Sequence, residues 1–444
     1  MGTPKIEKVK ISGLFGRFNY TINLVSNENG INIITAPNGY GKSTILKIIS
    51  SFASGDLFYF VREKFDSIDF FLQNEEIIRI EHQEEDFEKN QVSIVNVKNK
   101  STIKIKDPFG NNEIDEPSFS IERAFPFLRR IDAKRWIDER NDTILEKGDL
   151  LAKYGDHPVF RKRMKRDEWL DKIISGLKVF SISTNRLKLE YETEYNRRER
   201  YPVRNFMVET IAKEIQDKIQ SAIRTQFEEG RKKETSFPTR LIESLRSGFQ
   251  PTKTSIMESL KAVQEYEERY SRLGLLPKSG TTKQLNVYAE SIENAGMLVL
   301  KTYLEDISSK FSLLSNLAER LDVFCNSINS LFTFTSIETS ADGGIIAKST
   351  DGKKESLTLS LLSSGEQHLI VLIGKLVFNT DQGTLVLIDE PEISFHPEWQ
   401  EKFLGILEDI QKLNGFSALV ATHSPILIGN RWNDVIELAE QYSR

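Results

Sequence analysis

The stretch that decides the fold is Ala36-Pro37-Asn38-Gly39-Tyr40-Gly41-Lys42-Ser43-Thr44. It follows an apolar run, Ile31 to Ile34, and precedes apolar residues at helical spacing between Ile45 and Ile49. A strand, a glycine-rich turn and a helix in this order are the context that a phosphate-binding P-loop needs. The glycines let successive backbone N–H groups turn inward, so residues 38 to 44 are predicted to surround an anion at the helix N-terminus.

Individual residues of this loop have distinct expected roles. Asn38, Gly39, Gly41 and Thr44 belong to the phosphate-binding turn, Lys42 is expected to reach the β- and γ-phosphates, and the Ser43 hydroxyl is expected to ligate Mg²⁺. Ala36 stands where the usual pattern has its first glycine, which is tolerable if this residue keeps a negative φ. A glycine turn without function is the alternative, and the position between strand and helix argues against it.

A second candidate anion site lies in the C-terminal third of the chain. Leu357 to Leu362 alternates and predicts a strand, and Ser363-Ser-Gly365-Glu-Gln then opens an apolar helix that runs through Val377. A small-residue turn at a helix start offers unpaired N–H groups together with the Ser363 hydroxyl.

Two buried strands are predicted to end in polar residues. The run Thr384 to Ile388 ends in Asp389-Glu390, and the run Ser417 to Ala421 ends in Thr422-His423. In an α/β sheet the carboxyl ends of the strands face the ligand crevice. Asp389 is therefore expected to hold the Mg²⁺ shell, Glu390 to polarise the attacking water, and His423 to hydrogen-bond that water or the γ-phosphate. Each motif alone has a structural explanation, such as a helix cap, but the four in this order favour one ATP site.

Together these residues resemble the ATPase heads of the ATP-binding-cassette type found in RecF and SMC proteins and, within that branch, the OLD-like prokaryotic ATPases. The segment Asp389-Glu-Pro-Glu-Ile-Ser-Phe-His396-Pro, with Ala421-Thr-His-Ser-Pro425, is typical of this branch and unlike a transporter subunit. Gly13 to Phe18 and Ile182 to Leu187 are similar to the ATPases of anti-phage systems, notably the PARIS and Septu types. The resemblance covers both ends of the chain and the middle only loosely.

The resemblance implies an α/β fold: a P-loop mixed sheet with an antiparallel edge sheet, interrupted by a mostly helical, partly coiled-coil insertion. It also implies a homodimer around ATP and Mg²⁺, and we expect a higher homo-oligomer. The Ser363 loop, with Gly365, would close on the γ-phosphate held by Lys42 of the other subunit, and His396 would lie in the loop that crosses the interface. In such heads a loop glutamine usually links Mg²⁺ to the helical lobe. No convincing glutamine of this kind is evident in the sequence, and Gln73 is its one candidate.

Hydrophobic patterning divides the chain into three parts. Residues 1–124 form the first half of the head and include an antiparallel sheet over 66–107. Residues 125–332 are predicted to be the helical insertion, and residues 333–444 the second half of the head. The insertion carries basic clusters at 161–166, 197–200 and 231–233, through which DNA could bind, although a solvated helix face explains them too.

Composition limits the remaining possibilities. The 444 residues carry a net charge of −5, so a general polyanion binder is not indicated. Cys325 is the one cysteine, which excludes an internal disulfide and suits the reducing cytoplasm, where we expect the protein. No apolar run approaches ~20 residues, so no membrane span is predicted. The histidines are scattered and give no nuclease metal site.

Two classes of function stay open on this basis. One is the regulatory ATPase of an anti-phage system, which controls a separate nuclease effector and responds to a phage-derived trigger. The other is a DNA-maintenance clamp of the RecF type, whose hydrolysis of ATP is stimulated by DNA. A nuclease gene beside this one would favour the first class, and replication or repair genes the second.

Overall fold

The computed structural model describes residues 4–24, 30–82, 91–106, 121–132, 135–140, 143–146, 149–150, 154, 167–184, 207–247, 250–277, 282, 285, 294–351 and 356–442. Contacts divide the chain into two compact units. The P-loop unit comprises Met1–Thr184, Asp381–Ile393 and Asn414–Arg444. The helical unit comprises Asn185–Thr380 and Ser394–Leu413.

The first half of the chain contributes mostly strands: β1 (Ile6–Leu14), β2 (Phe18–Asn23), β3 (Ile31–Thr35), α1 (Lys42–Ser54), α2 (Phe58–Arg62), β4 (Ser67–Leu72), β5 (Ile77–Glu81), β6 (Gln91–Asn96), β7 (Thr102–Lys106), α3 (Ile121–Ala124), β8 (Leu128–Arg130), β9 (Arg135–Asp138), β10 (Thr143–Glu146), α4 (Glu168–Gly176) and β11 (Val179–Ile182). The second half contributes α5 (Met207–Arg246), α6 (Lys253–Arg272), α7 (Asn294–Ser312), α8 (Ser315–Asn329), β12 (Thr335–Ser340), β13 (Gly344–Ser349), β14 (Ser356–Leu357), α9 (Ser364–Phe378), β15 (Leu385–Asp389), α10 (Pro397–Asn414), β16 (Ser417–Ala421), α11 (Pro425–Ile428) and β17 (Val435–Glu437).

A five-stranded parallel sheet forms the centre of the P-loop unit, in the order β11-β15-β16-β3-β17. Its central strands are nearly continuous apolar runs, as expected where both faces of a parallel sheet are covered. Helix α1 packs on β11, β15 and β16, and its buried face includes Ile45, Ile48 and Phe52. This topology brings the carboxyl ends of β3, β15 and β16 to one edge of the sheet.

A six-stranded antiparallel sheet, in the order β2-β1-β4-β5-β6-β7, completes the core of this unit. Phe52 of α1 stacks on Phe70 of β4, with the ring centroids 4.1 Å apart, so α1 shares its apolar face between the two sheets. The predicted edge sheet over 66–107 is present, and the hairpin β1–β2 adds to it. The predicted fold class, an α/β head with a helical insertion, is confirmed.

The segment predicted as helical from residue 125 begins with strands instead. Strands β8, β9 and β10 form a small antiparallel sheet, and β11 pairs in parallel with β15. Their side chains join the P-loop unit's core through Leu128, Trp136 and Leu145. Short strands of three or four residues carry too little periodicity to be separated from helix by sequence pattern alone. The division into domains at residues 124 and 332 stays a prediction.

The helical unit is built around the amino-terminal half of α5. Its residues Ile211, Ala212 and Ile215 are buried, and the helix packs on β13 and α9. Two glycines permit this approach: a Cβ at Gly344 would lie 1.8 Å from the Ala212 carbonyl oxygen, and one at Gly374 would lie 2.7 Å from Ile211. This part of the insertion is therefore core and not a separable arm.

The chain before α9 differs from the predicted strand over 357–362. Only Ser356–Leu357 pairs with β13, and a 3₁₀ turn over Leu359–Leu361 follows. The turn precedes Ser363, the N-cap of α9, and it leaves Leu361 83% exposed. Across the described ranges, no helix combines the length and apolarity needed to cross a membrane.

Candidate functional site

The loop between β3 and α1 has the backbone that an anion-binding turn requires. Gly39 and Gly41 have φ of 87° and 84°, in the left-handed region, and Gly41 is the N-cap of α1. Ala36 is absent from the residues with positive φ, so alanine is tolerated where the usual pattern has glycine. A Cβ at Gly41 would lie 3.2 Å from Leu14 and 3.3 Å from Phe15, so the β1–β2 turn lies against this loop.

Lys42 is the charged side chain at the centre of this site, and it is only 5% exposed. Its ammonium group donates to the Ala36 carbonyl oxygen at 3.0 Å and contacts Nε2 of the His423 ring, with Nδ1 at 3.3 Å. Burial lowers the pKa of Lys42, and the carboxylates of Glu390 and Asp389 oppose that shift. The lysine is thus held by weak neutral acceptors close to two carboxylates.

Asp389, the last residue of β15, receives hydroxyl groups on both of its oxygens. The Ser43 hydroxyl donates to Oδ1 at 3.0 Å, and the Thr184 hydroxyl donates to Oδ2 at 3.1 Å. Ser43 comes from the first turn of α1, and Thr184 follows the edge strand β11. Three oxygen-bearing side chains therefore meet at the carboxyl ends of neighbouring strands.

Glu390 begins the loop after β15 in a left-handed conformation, with φ of 45°. Its backbone N–H donates to the Ala421 carbonyl oxygen at 2.8 Å, and its Oε1 lies 3.7 Å from Nε2 of His423. A non-glycine residue at positive φ is uncommon and clusters at functional sites. The carboxylate of Glu390, the ring of His423 and the ammonium of Lys42 thus form one contiguous group.

The remaining predicted site residues lie in the helical unit. Ser363 is the N-cap of α9, and its hydroxyl accepts from the Glu366 N–H at 3.3 Å and donates to the Glu366 carboxylate at 2.7 Å. The Ser363 backbone N–H also donates to the Glu366 carboxylate at 2.9 Å, which completes a capping box. Gly365 has no room for a side chain, because a Cβ there would lie 2.6 Å from the Ser394 carbonyl oxygen.

His396 stands at the start of α10. Its carbonyl oxygen accepts from the N–H groups of Trp399 and Gln400, and its Nδ1 accepts from the N–H of Glu398 at 3.4 Å. The histidine therefore caps its own helix in this chain. Its predicted position at a subunit interface stays a prediction.

Gln73 lies far from the site and is wrong as the glutamine that links Mg²⁺. It follows β4 and lines a cavity with Val179, Leu385 and Ser417, which are the first residues of their parallel strands. Asp389 ends the strand that Leu385 begins, and a strand of five residues separates its ends by roughly 13 Å. Gln73 thus stands at the opposite edge of the sheet.

The structure adds Thr184, Phe15 and Glu392 to the neighbourhood of the predicted residues. Thr184 belongs to the segment after β11. Its position as a polar residue after the end of a strand could have indicated it from the sequence. Phe15 has φ of 56° and contacts the Gly41 position, which sequence pattern cannot reveal. Glu392 hydrogen-bonds the loop after β16. The basic clusters at 161–166 and 197–200 lie outside the described residues.

Comparison with known proteins places the chain in a family. The family described as "AAA domain, putative AbiEii toxin, Type IV TA system" matches residues 197–429, which is more than half of the chain. The chain belongs to this family. The matched range of this AAA-domain protein includes Ser363, Asp389 and His423.

One curated protein and two solved structures are also similar to this chain. Protein ea59 of Escherichia phage lambda is 37% identical over 67 residues, which is 15% of this chain and 13% of that protein. The chain thus spans a small part of the length of that relative. Solved structures with similarity are a Pyrococcus furiosus Smc head domain with an extended coiled coil bound to the C-terminal domain of ScpA and a Thermotoga maritima SMC head domain.

The first of these is 12% identical at a TM-score of 0.34, covering 98% of this chain and 93% of that one. The second is 11% identical at a TM-score of 0.32, covering 96% and 91%. TM-scores at this level do not by themselves establish a shared fold.

Proposed function

We propose that this AAA-domain protein binds ATP with Mg²⁺ and hydrolyses it to ADP and phosphate. The observation that supports this most is the meeting of Lys42, Ser43, Asp389, Glu390 and His423 at one edge of the parallel sheet. They come from three separate segments of the chain, and each has a chemical part in phosphoryl transfer to water.

The triphosphate is assigned to the turn from Asn38 to Thr44. The turn offers backbone N–H groups at the start of α1, where the helix dipole also favours an anion. Lys42 then moves from the His423 ring and the Ala36 carbonyl to the β- and γ-phosphate oxygens, which are stronger acceptors. Its desolvated ammonium gains most from such an anion, because burial has removed competing water.

The oxygen donors around Asp389 fit Mg²⁺. Ser43 and Asp389 supply hard oxygen ligands 3.0 Å apart, and Mg²⁺ takes one or two such protein ligands beside phosphate oxygens and water. When bound, the ion neutralises charge on the transferring phosphoryl group. Thr184 orients Asp389 through its second oxygen and leaves Oδ1 directed at Ser43.

Glu390 is proposed to orient and polarise the attacking water. Its side chain remains 29% exposed, and its left-handed backbone directs it away from the strand. His423, whose Nε2 lies 3.7 Å from Glu390, is proposed to hydrogen-bond the γ-phosphate or that water. The loss of either group should reduce turnover more than binding.

The aromatic turn beside the P-loop is proposed to hold the base. Phe15 is 36% exposed and contacts the Gly41 position, and Tyr40 packs on Phe18 with ring centroids 5.4 Å apart. The guanidinium of Arg17 lies 4.7 Å from the centroid of the Phe18 ring. A half-exposed ring next to a phosphate loop offers a stacking surface for a purine.

We propose that two copies pair around ATP through the start of α9. Ser363 lies at the N-terminus of α9 and is not assigned to the ATP bound by its own chain. We propose that it instead completes the ATP site of the second copy. Higher homo-oligomers stay a prediction. The Ser363 hydroxyl must leave the Glu366 carboxylate to meet a phosphate, which makes pairing dependent on nucleotide.

The biological role is proposed as the regulatory ATPase of an anti-phage system acting on a separate nuclease effector after a phage-derived trigger. The support for this role is the family description, which names a putative toxin of a type IV TA system. Among the described residues, no three His, Cys, Asp or Glu side chains form a group that could hold a metal ion. We propose that the separate effector carries the active site for cleaving nucleic acid.

Phosphate release from Mg·ATP by the purified chain tests the enzymatic part. Turnover that needs Mg²⁺ and is unchanged by DNA supports the proposal, and turnover that needs DNA favours the maintenance clamp. Incubation with plasmid DNA, RNA and tRNA should leave all three uncut. Cleavage by the wild-type protein that persists in a second, independently purified preparation would contradict the separate effector.

A further inference from the structure

The carboxylate of Glu392 joins the loop after β15 to the loop after β16. Its Oε1 accepts a hydrogen bond from the Thr422 hydroxyl at 2.8 Å and another from the backbone N–H of His423 at 2.7 Å. Distances of this kind are expected when a charged oxygen accepts, and such bonds are about twice as strong as neutral ones. Glu392 follows Asp389 by three residues, and its charge acts on Lys42 from a distance by raising the pKa of that lysine against the lowering that burial causes.

The backbone around His423 is fixed by a short series of hydrogen bonds. The Thr422 N–H donates to the Ile34 carbonyl oxygen at 3.0 Å, and the Ser424 N–H donates to the Thr422 hydroxyl at 3.0 Å. Thr422 itself is fully buried. The backbone N–H of His423 lies between these two contacts and donates to Glu392. The loop after β15 therefore holds the peptide that carries His423.

The ring of His423 depends on this backbone for its place. Its Nε2 contacts the Lys42 ammonium and also lies 3.7 Å from the Glu390 carboxylate. A shift of about 1 Å in a group that orients a reactant lowers the rate by up to about 10²-fold. The acceptor that fixes the His423 peptide is therefore placed to affect the chemical step without touching the substrate.

We propose that Glu392 is a positioning residue that keeps Nε2 of His423 next to Lys42 and Glu390. The inference rests on the proposed ATPase function for its kinetic consequence, but its structural content is independent of catalysis. A purely structural role is the competing explanation, because Glu392 also anchors a buried threonine. That explanation predicts a loss of stability with no specific effect on the His423 ring.

Two substitutions separate the acceptor from its charge. Glu392→Gln keeps a side-chain carbonyl oxygen that can accept both hydrogen bonds, and Glu392→Leu removes the acceptor while keeping similar volume. Thr422→Val removes one donor in a side chain of the same shape and serves if the leucine variant fails to fold. Glu398→Leu is the matched control, because Glu398 is 61% exposed and its ion pair is with Lys402 one turn along α10.

The first readout is the ring ¹⁵N spectrum of the histidines without nucleotide, in which His423 is assigned from the spectrum of His423→Gln. We expect the His423 signals to move in the leucine and valine variants and to stay near their wild-type position in the glutamine and control variants. An unmoved His423 signal in folded Glu392→Leu, or in folded Thr422→Val if the leucine variant does not fold, would overturn the proposal. A glutamine variant shifted as far as the leucine variant would also overturn it, because charge and not the acceptor would then matter.

The second readout is steady-state turnover. We expect kcat to fall at least about 10-fold in Glu392→Leu with ATP affinity nearly unchanged, and Glu392→Gln to keep most of the activity. In a His423→Ala background the leucine substitution should add less than about 2-fold, because its effect acts through the ring. Additive losses would overturn the proposal. If the wild-type chain does not hydrolyse ATP, the proposed function fails and the ring spectrum alone decides the role of Glu392.

Discussion

The ammonium group of Lys42 contacts the ring of His423, so the P-loop lysine and the residue after β16 share a hydrogen bond. A protonated lysine has no acceptor, so the ring nitrogen that faces it accepts this hydrogen bond. A triphosphate that draws Lys42 away also frees this ring nitrogen. We expect substrate binding and the repositioning of His423 to be coupled for this reason.

Lys42→Met should leave the protein at least as stable as the wild type while abolishing nucleotide binding. Burial disfavours the charged lysine, so an apolar side chain of similar length is expected to raise the free energy of unfolding by 0 to about 1 kcal/mol. Thermal unfolding and titration with a fluorescent ATP analogue measure the two effects. Lys47→Met, on the exposed face of α1, is the matched control. If Lys42→Met, but not Lys47→Met, lowers the free energy of unfolding by more than ~2 kcal/mol, burial does not disfavour the charged form of Lys42.

The same lysine gives a pH dependence with a definite sign. Its pKa in the folded protein lies below the ordinary value of 10.5, so the unfolded chain binds more protons between the two values. Stability contributed by this group therefore rises with pH across that window. Urea unfolding at a series of alkaline pH values measures this effect. The free energy of unfolding of the wild type should rise relative to that of Lys42→Met as pH approaches 10.5. A difference that stays flat, or that shrinks, would show that the pKa is not lowered.

Thr184→Val should weaken the response to Mg²⁺ more than the binding of nucleotide. The Thr184 hydroxyl holds Oδ2 of Asp389, and without it the carboxylate can rotate away from Ser43. We expect the Mg²⁺ concentration at half-maximal turnover to rise about 10-fold, as is usual when a group that orients a metal ligand is lost. Ser181→Ala, an exposed change in the same strand β11, should have no effect. An unchanged Mg²⁺ response in Thr184→Val would remove Thr184 from the site.

Sequence patterns predict which residues meet at this site only where those residues are close together in the chain. Gly41, Lys42 and Ser43 are neighbours, so one motif predicts their arrangement. Thr184 and Asp389 meet only because β11 pairs with β15, and no local pattern records that pairing. The Gln73 candidate failed for the same reason, since which edge of the sheet a residue occupies is set by topology.

Hydrophobic alternation over a few residues also predicted secondary structure poorly. The alternation from Leu357 to Leu362 predicted a strand, but β13 offers a partner only as far as Leu357. The remaining leucines enter a turn that delivers Ser363 to the start of α9. A capping box fixed by Ser363 and Glu366 outweighs the strand preference of the residues before it.

A shared active site predicts complementation between two inactive variants. Ser363→Arg should place a bulky cation at the start of α9, and Lys42→Ala should empty the phosphate turn. Each variant alone should be inactive, but a mixture should regain part of the turnover, because one of its two composite sites has both residues intact. Phosphate release after incubation that allows subunit exchange is the measurement. No recovery at any mixing ratio would contradict pairing in trans.

Turnover and nucleotide binding measured side by side for Glu390→Gln test the central claim most directly. The substitution keeps the shape of the side chain and leaves Lys42, Ser43 and Asp389 in place. We expect phosphate release at saturating Mg·ATP to fall about 10²-fold or more while the dissociation constant for ATP changes by less than about 3-fold. ATP should then accumulate on paired molecules, seen as a larger species by light scattering. Near-normal turnover in this variant, or loss of binding together with turnover, would contradict the assignment of Glu390 and with it the proposed site.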